Sequence, residues 1–147
     1  MKSLIVALSL FLSASAFGDC RRLLDELAIT MTDRELWHDG AAQGPTEKLL
    51  DGFGCDGVVL SNVKTHAETA GGARVRVTWE FEIENESAVR QKPLVRFTVK
   101  FGDVERSGTF SGTIEPGETI TTRHADFLIP ETELRIGKPS LRVIVMA

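Results

Sequence analysis

Two short pairs of histidine and carboxylate are the residues whose types and spacing could do chemistry in this chain. They stand in His66-Ala67-Glu68 and in His124-Ala125-Asp126. Residues two apart on a β-strand point to the same face of a sheet, so each pair would present an imidazole and a carboxylate together. If the two strands lie side by side, these four side chains could hold zinc or copper. The sequence does not show that they do, and ordinary surface histidines are the alternative.

A glycine pattern, Gly52-Phe53-Gly54-Cys55-Asp56-Gly57, matches the G-x-G-x-x-G fingerprint of dinucleotide-binding loops. Such a loop must follow a strand and open a helix, so that the helix N-terminus meets the pyrophosphate. Here the pattern follows a predicted helical turn and precedes a predicted strand, so we interpret it as a glycine-rich turn. The sequence also contains no G-x-S-x-G, H-E-x-x-H or P-loop motif. We therefore predict that the protein is not an enzyme, and we expect no cofactor.

The first 16 residues have the three-part pattern of a secretory signal peptide. Lys2 precedes an apolar run from Leu4 to Leu12, and Ala14-Ser15-Ala16 matches the cleavage site. The run is too short to span a bilayer, which takes about 20 residues. The pattern predicts cleavage after Ala16 and a periplasmic or secreted protein with no membrane span. A lipid anchor on Cys20 is the alternative, although the residue before it, Asp19, is not small.

The charge balance bears on the kind of partner. Removing residues 1–16 leaves 147 − 16 = 131 residues, enough for one compact domain. Of the 17 basic and 21 acidic residues only Lys2 is lost, so the mature net charge is 16 − 21 = −5. Nucleic acids and anionic membranes require basic surfaces, and this balance argues against both. A protein of the bacterial cell envelope is the partner that we expect.

Cys20 and Cys55 are the two cysteines of the chain. An exported protein meets an oxidising compartment, where a disulfide is the usual state of such a pair. Redox-active thiols favour the close C-x-x-C spacing, which these two lack. We predict a structural disulfide, with a reactive thiol pair as the alternative.

The N-terminal third, residues 17–56, is predicted to be a helical and looped cap. Apolar residues recur there at the spacing of one helical face, namely Leu23, Leu24, Leu27, Ala28 and Met31. A capping box at Thr32–Glu35 predicts a further short helical turn that ends at Gly40. A short helix is predicted from Thr46 to Leu50 after Pro45.

Residues 57–147 change to a period of two, which is typical of strands. Val59, Val63 and Ala67 are predicted to share one side of the first strand. The clearest alternation follows in RVRVTWEFEIENES, Arg74 to Ser87, and in PLVRFTVKF. About six strands separated by turns, the Asn85-Glu86-Ser87 sequon among them, predict an antiparallel immunoglobulin-like β-sandwich that forms one domain with the cap.

The strands Arg74–Glu84 and Leu94–Phe101 are predicted to form a hairpin. Its inner pairs would be Trp79 with Phe101, Phe81 with Val99, and Ile83 with Phe97, and its outer pairs Glu80 with Lys100 and Glu84 with Arg96. Glu80, Glu82 and Glu84 would then be a solvated face neutralised by the next strand. The alternative is that these three carboxylates form an acidic surface for a cationic partner.

The order of features over residues 72–129 is similar to that of small immunoglobulin-like modules of exported bacterial proteins. The residues that carry the resemblance are WEFEIENES, PLVRFTVKF and GTIEPGETI, in the order seen in FxLYD-type domains. The F-x-L-Y-D signature is absent, and the chain contains no tyrosine. The resemblance implies a non-catalytic binding or assembly module. The C-terminal strand LRVIVMA is a candidate edge for strand addition, with an interior core strand as the alternative.

Overall fold

The structure, a computed structural model, describes residues 20–29 and 44–147, without the side chains of His124 and Ala125. The predicted signal peptide and the turn predicted from Thr32 to Gly40 lie outside the described residues. The elements are β1 (Arg21–Ala28), α1 (Pro45–Leu50), β2 (Gly54–Cys55), β3 (Val58–Ala70), β4 (Arg74–Asn85), β5 (Leu94–Phe101), β6 (Val104–Ser111), β7 (Thr119–Pro130), α2 (Glu131–Arg135) and β8 (Ser140–Met146).

The strands form two antiparallel four-stranded sheets. Sheet 1 has the order β1-β8-β5-β6, and sheet 2 has the order β2-β3-β4-β7. The ring of Phe97 in sheet 1 lies 5.7 Å from that of Trp79 and 5.0 Å from that of Phe81, both in sheet 2. The sheets therefore face each other across one core, and this mainly β architecture is consistent with the predicted β-sandwich. Neither described helix is long and apolar enough to cross a membrane.

The alternation in β4 and β5 predicted their inward faces correctly. The apolar residues at alternate positions are buried along both strands: Val75, Val77, Trp79, Phe81, Ile83, Val95, Phe97, Val99 and Phe101. Thr98, on the outward side of β5, is buried as well. Trp79 also meets the edge of Phe127 on β7 at 5.8 Å. These aromatic side chains bury the largest apolar surfaces of the two strands and therefore stabilise the sandwich most.

The helix predicted from Cys20 to Met31 is wrong in its described part, because β1 is a strand of sheet 1 that pairs with β8. The register shifts between Leu24 and Leu27, and Glu26 between them has a φ of 55°. A β-bulge of this kind adds one residue to a strand. The extra residue places two core-facing leucines three positions apart, which in the sequence resembles the spacing of a helical face.

A second bulge changes the predicted face of β3. Val63 and Ala67 face the core as predicted, but Val59 does not, and Val58 and Leu60 are buried in its place. The register shifts near Asn62, which has a φ of 49°. Asparagine tolerates this left-handed conformation better than most residues, so the bulge is compatible with its side chain.

The predicted β4–β5 hairpin is wrong, together with its five side-chain pairs. β4 pairs with β3 and β7, whereas β5 pairs with β6 and β8 in the other sheet. Trp79 and Phe81 of β4 instead contact Phe97 of β5 across the interface between the two sheets. The predicted candidate edge at the C-terminus is also wrong, because β8 lies between β1 and β5 as an interior strand.

Asn85 at the end of β4 helps to send the chain across to sheet 1. Its side chain is fully buried, and Nδ2 donates to the carbonyls of Val89 and Ile114 at 2.8 and 3.0 Å. Its Oδ1 accepts bonds from the backbone N–H and the hydroxyl of Ser87. A buried amide satisfied in this way fixes the loop that follows it. The sequon is therefore a structural turn whose amide nitrogen is inaccessible to glycosylation.

The predicted disulfide between Cys20 and Cys55 is confirmed. It joins the start of β1 in sheet 1 to β2 in sheet 2. The glycine pattern around Cys55 follows α1 and precedes β3, and a Cβ at Gly54 would collide with the carbonyl of Val58. Its second glycine is thus required by a tight strand pairing. The interpretation as a glycine-rich turn holds for Gly52 and for Asp56–Gly57, whereas Gly54 and Cys55 between them form β2.

The short predicted helix is confirmed as α1. Its Glu47 accepts a hydrogen bond from the Gly44 N–H at 2.8 Å and one from the Thr65 hydroxyl of β3 at 2.6 Å. Leu50 at its end is fully buried. These contacts anchor α1 on sheet 2.

Candidate binding face

The outer face of β4 carries the carboxylates predicted as a surface, and Glu80 lies there between the imidazole of His66 and the guanidinium of Arg123. Its Oε2 lies 3.4 Å from His66 Nε2 on β3 and 3.9 Å from Arg123 Nε on β7. Lys64 stands opposite it in the β3 register. The cations beside Glu80, Lys64 and Arg123, therefore come from the two flanking strands of sheet 2. The predicted hairpin instead placed Lys100 of β5 opposite Glu80.

Glu82 and Glu84 continue the outer face of β4 towards Asn85. Glu82 accepts hydrogen bonds from Asn62 Nδ2 at 2.9 Å and from the Ser61 hydroxyl at 3.4 Å. Glu84 lies between Val59 of β3 and Thr119 of β7 in the strand registers. Polar and apolar neighbours therefore replace cations at these two positions. An acidic partner surface at Glu80, Glu82 and Glu84 stays a prediction.

His66 is held as a neutral imidazole between two charged groups. Arg123 Nη2 lies 2.6 Å from its Nδ1, and since the guanidinium can only donate, Nδ1 accepts and the ring proton is on Nε2. Nε2 is buried and makes no hydrogen bond within the described residues, although Glu80 lies 3.4 Å away. Burial, followed by the charge of Arg123, lowers the pKa of His66.

Arg123→Gln is expected to raise the pKa of His66, because it removes the neighbouring positive charge that opposes protonation. An NMR titration of the imidazole measures this pKa directly.

Since the folded pKa of His66 is below 6.5, the stability contributed by neutral His66 is full above pH 6.5 and is lost as the pH falls through the folded pKa. His66→Gln should flatten that part of the stability profile. Equal acid sensitivity of the His66→Gln variant and the parent would contradict this account.

The residues predicted as a metal site lie on β3 and β7, with β4 between them. His66 and Asp126 stand on either side of Thr78 in the strand registers. Arg76 lies opposite Glu68 and 3.6 Å from Asp126. The positive charge of Arg123, 2.6 Å from His66 Nδ1, would repel a metal ion bound at that nitrogen. No group of three or more metal-binding side chains occurs among the described residues. Because the side chain of His124 is not among them, the metal site stays a prediction.

Two clefts adjoin the bulge of β1 at one end of sheet 1. Their volumes are about 460 and 310 Å³, and both are lined by Glu26, Lys138 and Ser140. In the larger cleft Arg142 donates to Asp25 at 3.2 Å, which lowers the pKa of Asp25 and raises that of Arg142. The described lining residues of these clefts include no histidine or cysteine. This pairing links β1 to β8.

The outer face of sheet 1 is different, because apolar side chains lie next to one another on it. Four of them, of which two are exposed, form what we call the apolar quartet: Leu23, Leu94, Ile144 and Met146. Leu23 lies opposite Ile144, and Met146 lies opposite Leu94. Leu23 is 48% exposed and Met146 is 42% exposed, whereas Ile144 is nearly buried between its neighbours. Exposed apolar side chains that lie close together in this way are typical of interaction sites.

Two arginines flank the apolar quartet. The six residues belong to two rows of directly opposed residues across the sheet, which are Arg21–Met146–Leu94–Ser111 and Leu23–Ile144–Arg96–Thr109. Arg21 lies opposite Met146, and Arg96 lies opposite Ile144. Both arginines are exposed. Arg96 donates to the Thr109 hydroxyl at 3.2 Å. Within the described ranges, neither guanidinium has a carboxylate within 4.0 Å.

Sequence reasoning missed this face. The prediction of a helix at residues 20–31 removed β1, and with it Arg21 and Leu23, from the sheet. One signal was present in β8, where Val143, Ile144, Val145 and Met146 are apolar without interruption. A strand with one solvated polar face would alternate. The unbroken run indicates that both faces of β8 are apolar.

Comparison with known proteins found no protein similar to this chain. A scan of protein-family models, a search of curated proteins and a search of solved structures each returned no match to this chain.

Proposed function

We propose that the protein is an exported, immunoglobulin-like module of the bacterial cell envelope that binds another protein through the outer face of sheet 1 and catalyses no reaction. The single observation that carries the proposal is the apolar quartet with its two flanking arginines. Methionine and arginine are both enriched in protein interfaces relative to the rest of the surface. The charged outer face of sheet 2 is, by contrast, largely satisfied by its own neighbours.

The strand order supports the immunoglobulin-like part of the proposal. In that fold strands A, B and E share one sheet, and G, F and C share the other, with C′ added in the variable type. β3, β4 and β7 correspond to A, B and E, and β8, β5 and β6 correspond to F, C and C′. β1 takes the position of G, although it comes from the opposite end of the chain. All of these pairings are antiparallel, as the correspondence requires.

The export part rests on the signal-peptide pattern of residues 1–16 and on the Cys20–Cys55 disulfide. Disulfides persist in oxidising compartments such as the periplasm. The position of the bond also suits the proposed function, because it fixes β1 at the edge of the binding face.

Site-specific photo-cross-linking in the native host tests the proposal. A photoreactive phenylalanine analogue replaces Leu23 on the proposed face, and in a matched control it replaces Thr121, an exposed residue on the outer face of sheet 2. We expect a discrete protein adduct from the Leu23 position and none from Thr121. An adduct from Thr121 alone, or no adduct from Leu23 in correctly folded protein, would contradict the proposed face.

A further inference from the structure

We propose, resting on the function proposed above, that the partner is a different protein whose contact surface has an apolar centre bordered by aspartate or glutamate side chains. The observation behind this inference is the charge arrangement around the apolar quartet. The centre of the face is apolar, whereas both charged groups in its two rows are cations.

Arg21 and Arg96 differ from the arginines that already have acidic partners. Arg76, Arg90, Arg123, Arg135 and Arg142 all form ion pairs with carboxylates. A guanidinium that is covered by a partner without a matching acceptor loses its hydration and leaves an uncompensated charge, which is strongly unfavourable. Carboxylates match the fork of guanidinium donors best. A protein that covers the apolar quartet must therefore place an acidic group next to each of the two arginines, Arg21 and Arg96.

A second copy of the same chain does not provide those groups. The two rows consist of the apolar quartet and of Arg21, Arg96, Thr109 and Ser111, and contain no carboxylate. Asp25 of β1 and Glu105 of β6, the described strands at the two edges of this sheet, both pair with Arg142. In a face-to-face pairing that superimposes these two described rows, each arginine would meet an apolar, hydroxyl or cationic side chain. The charges thus favour a partner of different sequence.

Charge reversal combined with the Leu23 cross-link tests this inference in the full-length protein in the native host. We expect the double variant Arg21→Glu/Arg96→Glu to lower the adduct yield by about tenfold or more, since each lost desolvated charge pair weakens binding substantially. The matched control, Lys48→Glu/Arg74→Glu, makes the same charge change at exposed positions on α1 and sheet 2. It should leave the yield unchanged. Thermal unfolding of both variants shows that each is folded.

Mass spectrometry of the adduct then identifies the cross-linked peptide, which we expect to contain or adjoin aspartate or glutamate. Replacing that acidic residue with arginine should restore the adduct of the Arg21→Glu/Arg96→Glu variant. An adduct with twice the mass of the chain would identify a second copy and overturn this inference. An adduct insensitive to charge reversal would overturn it as well, while the proposed binding face would stand. Absence of any Leu23 adduct would instead count against the proposed function itself.

Discussion

Trp79→Ala is expected to lower the free energy of unfolding by about 3–5 kcal/mol, the range for truncating large aromatic side chains in a packed core. Trp79 is 1% exposed and contacts Phe97 and Phe127 through its ring. Phe97 belongs to the opposite sheet, so the substitution removes a contact that holds the two sheets together. Urea unfolding followed by far-UV circular dichroism measures the change.

Val89→Ala is the matched control for Trp79→Ala, because Val89 is apolar but 61% exposed. We expect a change within about 0.5 kcal/mol there. A double-mutant cycle of Trp79 and Phe97 should give a coupling energy of about 0.5–1.5 kcal/mol. A Trp79→Ala loss below about 1 kcal/mol, well under the range for such truncations, would show that the rings do not hold the sheets together.

Removing the disulfide with Cys20→Ser/Cys55→Ser is expected to cost about 3–4 kcal/mol in the chain-entropy model, given the sequence separation of 35 residues. β1 should be affected most, because its side chains are largely exposed and only Leu24 and Leu27 pack against the core. Hydrogen exchange should therefore become faster at β8 amides that pair with β1, while the β3–β4 ladder stays protected.

Reduction of the unmodified protein provides a control for the Cys20→Ser/Cys55→Ser variant. Reduction of the unmodified protein under native conditions should reproduce the exchange pattern of the double serine variant. If both forms instead exchange uniformly faster across β4 and β8, the bond stabilises the whole fold and not β1 in particular. Exchange and stability unchanged from the oxidised protein would contradict the structural role of the bond.

The sequence predicts β4 and β5 well because each alternates without a bulge and has one polar and one buried face. It fails at β1 because a single inserted residue, Glu26, turns a period of two into a spacing typical of helices. The local pattern does not predict that β4 and β5 belong to different sheets. Their inward aromatic residues are compatible both with neighbours in one sheet and with facing sheets, and the buried Asn85 helps to decide between these arrangements.

The candidate binding face depends on strands that are distant in the sequence. Arg21 and Leu23 lie more than 100 positions before Ile144 and Met146, and only the β1–β8 pairing brings them together. The charged outer face of β4 was visible in the sequence, but the cations beside Glu80, Lys64 and Arg123, come from strands whose pairing with β4 the sequence does not show. A surface built by long-range pairing is thus harder to predict than the strands that form it.

Native mass spectrometry of the protein recovered from the envelope of its native host tests the central claim most directly. The account predicts a chain that begins at Phe17, has lost two hydrogens to the Cys20–Cys55 bond, and is bound to a second, different protein. The same chain carrying Leu23→Glu should be recovered folded but without that protein. A chain recovered free of other proteins, or a complex retained after Leu23→Glu, would contradict binding through the outer face of sheet 1.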